Sequence, residues 1–210
     1  MAQKLEKKTA LKHQIITAAQ TYSRELAGRI FLYVFGNEYF EVIFKVDRFL
    51  HLTGVNSTLS AAKFYSLAKT KKLDNGQFEF SKQHPMAIAK KKLICLNSLP
   101  LITNSLVCVV KDLQTVTYNY KLGVTNLSFT LCLTENLDLR GRKIDDKLLP
   151  RSLRIKDKAI ENSSLAEFVD FIFVKNSSQT YYTQLLYEAP NKKIPTTISH
   201  LLDKHFTKEE

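Results

Sequence analysis

Between Phe44 and Val55 the chain sets a cation, a histidine and a hydroxyl among apolar neighbours: Lys45, His51 and Thr53. An imidazole gives or takes a proton near neutral pH, which no other unperturbed side chain does. A lysine ammonium neutralises phosphate or a developing negative charge, and a threonine hydroxyl can donate to a phosphate oxygen. Gly54 permits an unusual backbone angle or the close approach of a ligand. The backbone N–H groups from Gly54 to Thr58, read as a helix entry, would face the same anion, because helix N-termini attract phosphate. RNA cleavage by 2′-hydroxyl attack needs these parts: a proton acceptor, a proton donor and cationic support for the pentavalent phosphate. A plainer reading fits the same residues, with His51 a hydrogen-bonded turn histidine, Thr53 a turn residue and Lys45 a solvated lysine.

The other half of such a site would come from late strands. Arg154 is the first candidate, since a guanidinium grips phosphate through two parallel bonds; Ser152, Ser177 and Tyr182 stand behind it. Lys63, Lys69, Lys71, Lys72, Lys90, Lys91 and Arg151 are candidates for tracking an RNA backbone, and also read as solvated faces. The net charge is +11, and residues 1–105 hold 16 Lys/Arg against 7 Asp/Glu while 106–210 hold 15 against 13. A basic excess in one half points to a polyanionic partner. The sequence has no phosphate-binding Gly-rich loop, no CxxC pair and no HExxH, so neither a metal nor a cofactor is expected. Cys95, Cys108 and Cys132 are odd in number and each set among apolar residues, as expected of buried thiols in a cytoplasmic protein. No apolar run reaches the length of a membrane span, and the Lys-rich start is followed by no signal-peptide core.

The elements that must position these residues follow from periodicity. Residues 5–27 carry apolar side chains at near-helical spacing, and Gly28 closes them. Phe31–Phe35 and Tyr39–Lys45 read as a hairpin turning at Gly36-Asn37. Lys45 falls on its less apolar face, with Glu41 and Ile43. Phe49–Thr58 reads as a loop, with Asn56, Ser57 or Thr58 capping a helix that runs to about Lys69. A second basic helix is expected from Pro85 to Asn97. From Leu106 the period falls to two, giving a meander over 106–111, 115–121 and 126–134. Residues 135–162 read as irregular, with one short strand at 150–155. Strands at 169–175 and 181–188 and a closing helix at 194–206 complete the chain. The expected fold is α+β, one domain over 1–210: an N-terminal helix to 28, the hairpin, motif and basic helices over 31–105, a β-meander over 106–190 and a C-terminal helix.

Phe44-Lys45 followed by Phe49-x-His51-Leu52-Thr53-Gly54-Val55, directly after an aromatic hairpin, resembles the signature of a phage- and mobile-element-associated family of the barnase–EndoU–colicin–RelE-like nuclease superfamily. Ala62, Lys63, Phe64 and Tyr65 extend the likeness, which runs loosely to residue 72. The resemblance implies a small α+β nuclease fold and metal-independent ribonuclease activity, with Lys45, His51 and Thr53 in the site. RNA is then the expected partner, with a cognate inhibitor protein possible. Two other classes stay open: a non-catalytic module binding nucleic acid or an acidic protein, and a structural or regulatory protein that keeps the motif for folding.

Overall fold

A computed structural model describes residues 2–114, 119–155 and 164–206. These residues form α1 (Ala2–Glu25), β1 (Arg29–Phe35), β2 (Glu38–Ile43), α2 (Phe49–Thr53), α3 (Ala61–Lys69), α4 (Met86–Asn97), β3 (Cys108–Gln114), β4 (Asn119–Thr125), β5 (Thr130–Leu137), β6 (Lys143–Arg154), β7 (Ser164–Phe168), β8 (Phe171–Asn176) and β9 (Gln184–Glu188). The fold is α+β, as the periodicity indicates. One sheet has the order β7-β3-β4-β5-β6-β2-β1-β8-β9. Its pairings are antiparallel except β2 with β6, a parallel contact at Val42 and Leu148. Only Val169 and Asp170 separate β7, on β3, from β8, on β1. Val169 N–H donates to Val107 O at 3.0 Å and Asp170 N–H to Val34 O at 2.8 Å. The sheet therefore curls until its two sides share one bent segment.

The helices lie on one face. Phe31, Tyr33 and Phe35 of β1, Phe40, Val42 and Phe44, and Val124 and Leu131 further along the sheet join Leu11, Ile15, Tyr22, Phe64 and Leu93 in the main core. Burial of such aromatic and aliphatic surface is the main force holding the layers together. On the opposite face Ile30, Leu32, Val34, Phe171 and Phe173 pack under Tyr182, Ile198 and Leu202. All three cysteines are buried and free.

Several expectations are corrected. The segment after the hairpin is not all loop: a 3-10 turn over Val46–Arg48 leads into α2, because Phe49 and Leu52 fall on one side of a helical turn and are buried there. Helix α3 starts later than expected, with Ser60 as its cap accepting from Lys63 N–H. Of the stretch read as irregular, 143–154 is a single long strand, and 156–163 lies outside the described residues. Pro150 sits in that strand beside a bulge, where the missing N–H is tolerated. The closing segment forms 3-10 turns at Thr196–Leu201 and Lys204–Phe206, with Tyr182 bridged to Leu202. Its run of β-branched Thr196, Thr197 and Ile198 lowers helix propensity.

Candidate functional site

An aromatic cluster anchors the chain on which His51 stands. Tyr22 of α1 meets Phe44, Phe49 and Tyr65 edge-on, with ring centroids 6.0, 5.4 and 5.8 Å away. Its hydroxyl donates to Lys45 O at 2.8 Å, tying the end of the hairpin to α1. Phe49 meets Tyr65 of α3 at 5.4 Å. With Phe49, Leu52 and Thr53 buried, helical geometry leaves His51 on the exposed side of α2. Gly54 ends the helix in the left-handed conformation, φ 74°. A Cβ there would lie 2.7 Å from Lys92 Cδ, so the lysine stem of α4 runs directly over the glycine.

Strand β6 supplies the third wall. Between the pairs Cys132↔Ser152 and Leu133↔Pro150 it holds one extra residue, Arg151. Such a bulge re-aims a side chain and bends its strand. Arg151 stands close enough to His51 to act on it electrostatically, as do Arg48 and Lys92. The imidazole is thereby held below its usual range, first by burial of part of the ring, then by Arg151 and Arg48, against a pull from Asp47. Lys92 is also held down, by burial and then by the charge of Arg154. Three cations from three separate elements thus act on the imidazole, and Arg154 acts in turn on Lys92. The site is open, with His51 exposed on the outer ridge of α2.

The residues named from sequence divide. His51, Arg151 and Arg154 gather with Lys92. Lys45 does not join them. It continues the Glu41–Ile43 face, away from the helices, and its ammonium donates to Asn136 Oδ1 at 2.8 Å. Asn136, 2% exposed, in turn donates to Asp145 Oδ1 at 2.9 Å. Thr53 is fully buried; its hydroxyl donates to Leu50 O at 2.7 Å and accepts from Val55 N–H at 3.3 Å. Of the backbone donors expected to meet an anion, Val55 N–H is taken by Thr53 and Asn56 N–H donates to Glu79 O at 3.1 Å. Lys63, Lys69, Lys71, Lys72, Lys90 and Lys91 are exposed on α3, its following turn and α4. Ser177 is exposed in the β8–β9 turn, and Ser152 is buried. Tyr182 is buried on the far face, donating to Glu41 at 2.5 Å. Arg48 and Lys92 were not singled out for the site. The signal for Arg48 was its place one helical turn before His51; Lys92 could be joined to His51 only through the packing of α4.

Among the described residues no helix is long and apolar enough to cross a membrane. No group of three or more His, Cys, Asp or Glu among them is placed to hold a metal ion. No curated protein and no solved structure matches the chain. A family model does, over residues 14–200, taking in the second half of α1, the His51 segment, the nine strands of the described residues and the β6 bulge. With a histidine set among cations on a curled α+β sheet, and a family model covering most of its length, the chain belongs to the family described as phage-Barnase-EndoU-ColicinE5/D-RelE like nuclease4, PBECR4.

Proposed function

We propose that the chain, acting as one unit over 1–210, is a metal-independent endoribonuclease that cleaves by attack of the ribose 2′-hydroxyl on the adjacent phosphate. The observation that carries this reading is the exposed His51 imidazole on α2, within electrostatic reach of Arg48, Arg151 and Lys92 and held below its usual range. In the reaction His51 takes the proton of the 2′-hydroxyl as its oxygen bonds to phosphorus. Arg151, Arg48 and Lys92 neutralise the charge that grows on the phosphoryl oxygens, and Arg154 holds a neighbouring phosphate. The bond from phosphorus to the 5′-oxygen breaks, and that oxygen takes up a proton. Lys92, an ammonium whose proton is loosened by burial and by Arg154, is the donor best suited to give it. Lys45 and Thr53 serve by positioning: Lys45 fixes β5 and β6 through Asn136, and Thr53 closes α2 beneath His51. The exposed lysines of α3 and α4 track the rest of the strand. The buried free thiols suit a cytoplasmic setting, and a cognate inhibitor would be an acidic protein seated on the same cations.

The openness of the ridge favours one rival, a module that binds nucleic acid without cutting it. The two separate on a structured RNA and its 2′-deoxy analogue, incubated with wild type and His51→Ala, with and without EDTA. Cleavage should give 2′,3′-cyclic phosphate ends, spare the deoxy analogue, survive EDTA and fall roughly 10²–10⁴-fold in His51→Ala. Salt-sensitive binding with intact RNA establishes the rival. Cutting of the deoxy analogue, loss with EDTA or full activity in His51→Ala defeats the mechanism.

A further inference from the structure

Beside the cation cluster lies a cavity with no place in the reaction above. Its volume is about 300 Å³, and Lys91, Ile94 and Leu101 line it with Phe129, Asn126 and Ile155. Two elements of the cluster run into it. On α4, Lys91 at the cavity directly precedes Lys92; on β6, Arg154 directly precedes Ile155. At about 3.3 Å per residue, the four steps from Arg151 to Ile155 span roughly 13 Å.

The lining is unlike a solvated surface. Ile94 is 58% exposed and Leu101 52%, and Leu127 at the neighbouring hairpin tip is 83% exposed. Phe129, buried, forms the floor. These apolar side chains are left open around one cavity beside a basic ridge. The polar group is fixed in place. Asn126 Oδ1 accepts from Ser128 N–H at 3.1 Å and from Phe129 N–H at 3.2 Å, which aims the amide NH₂ outward. That nitrogen makes no hydrogen bond among the described residues.

We infer that this cavity is a subsite for one unpaired nucleobase of the RNA strand whose phosphates lie on Arg151, Lys92 and Arg154. The inference rests on the nuclease reading. Apolar walls suit the two faces of a planar base, and the Asn126 amide offers a donor to a carbonyl or ring nitrogen on its edge. Recognition of RNA by sequence usually works this way, with single-stranded bases splayed out against apolar or aromatic side chains. The cavity is at the small end for a ligand site, which fits one base better than a drug-sized ligand or a protein helix. The flanking lysines and arginines select a polyanion.

The test uses the full chain as His51→Ala, so that oligoribonucleotides bind without being cut. Each base is removed in turn to leave an abasic position, and affinity is read by fluorescence anisotropy. One position should lose about tenfold or more, as for loss of a stacked base. Ser98→Trp, which fills the cavity from the end of α4, should weaken the intact oligonucleotide to the abasic level and abolish the positional effect. Its salt dependence should stay that of the parent, because the phosphate contacts remain. Leu101→Gln, an uncharged polar change on the exposed rim, should do the same if Ser98→Trp folds poorly. A flat abasic profile with RNA bound overturns the subsite while leaving cleavage by the wild type intact; this is also the result if the face docks a protein. A position-specific loss in a protein whose wild type cuts no RNA overturns the nuclease reading and leaves the subsite standing. No RNA binding at all overturns the subsite.

Discussion

Gly54 offers a matched test of the role given to Lys92. Gly54 and Gly28 both follow helices and both sit in the left-handed region, with φ 74° and 76°. An alanine at either position takes on the left-handed penalty of about 1–2 kcal/mol. For a chain of this size that lowers Tm by roughly 2–8 °C. The surroundings differ. At Gly28 a new Cβ meets nothing within 4 Å, whereas at Gly54 it lies 2.7 Å from Lys92 Cδ, with the Ala89 backbone at 3.5 Å. Ordinary carbon contact is about 3.5–4.0 Å, so the lysine stem must move by about 1 Å. A misplacement of that size in a catalytic group can cost about 10²-fold in rate. Gly54→Ala and Gly28→Ala should therefore melt alike, but only Gly54→Ala should lose cleavage, by about ten- to a hundredfold in kcat. Thermal unfolding and initial rates on one RNA decide it. Equal rates in the two variants at equal Tm would refute the placing of Lys92 at the reacting phosphate.

The acid limb of kcat/KM should lie below pH 6.5, because burial and the Arg151 charge hold the His51 imidazole under its ordinary value. Arg151→Gln should move that limb upward toward pH 6.5, and a limb that stays still or moves down would remove Arg151 from the site. The same shift carries a stability sign: the folded state resists protonation of His51, so its contribution is full above pH 6.5 and is lost as pH falls from 6.5 through the lowered pKa. Lys45→Met leaves Asn136 Oδ1 buried without its donor and should cost about 1–3 kcal/mol in denaturant titration, with the rate of the folded protein within a few-fold of wild type. A hundredfold rate loss at unchanged stability would return Lys45 to the phosphate. Thr53→Val should cost about 1 kcal/mol through the lost bond to Leu50 O, and should spare the rate once Tm is matched by temperature. A large fall in kcat at matched stability would give that hydroxyl a direct role.

What was legible in the sequence was local, and what was hidden depended on non-local packing. The hairpin turning at Gly36 and Asn37 and the helix after Pro85 follow from turn chemistry and from proline at a helix start, and both are present. His51 was legible because α2 spends Phe49 and Leu52 on the core, leaving its imidazole outward. Lys45 shows the limit. Strand alternation placed it correctly on the Glu41 face, yet nearness in sequence suggested a shared site, and alternation is what separates the two: Phe44 turns toward the helices, so Lys45 turns away to Asn136. Arg151 reads in the sequence only as a contact to the RNA backbone, because a bulge is a mismatch between two strands and exists in neither alone. Lys92 reads in the sequence as one of three adjacent lysines, a solvated face or a contact to an RNA backbone. What distinguishes it from Lys90 and Lys91 is Gly54, on another element, whose missing side chain lets the stem approach. A site assembled from a short helix, a bulged strand and a lysine laid over a glycine can thus be recognised from one segment, and completed only once the curled sheet brings β6 and α4 beside it.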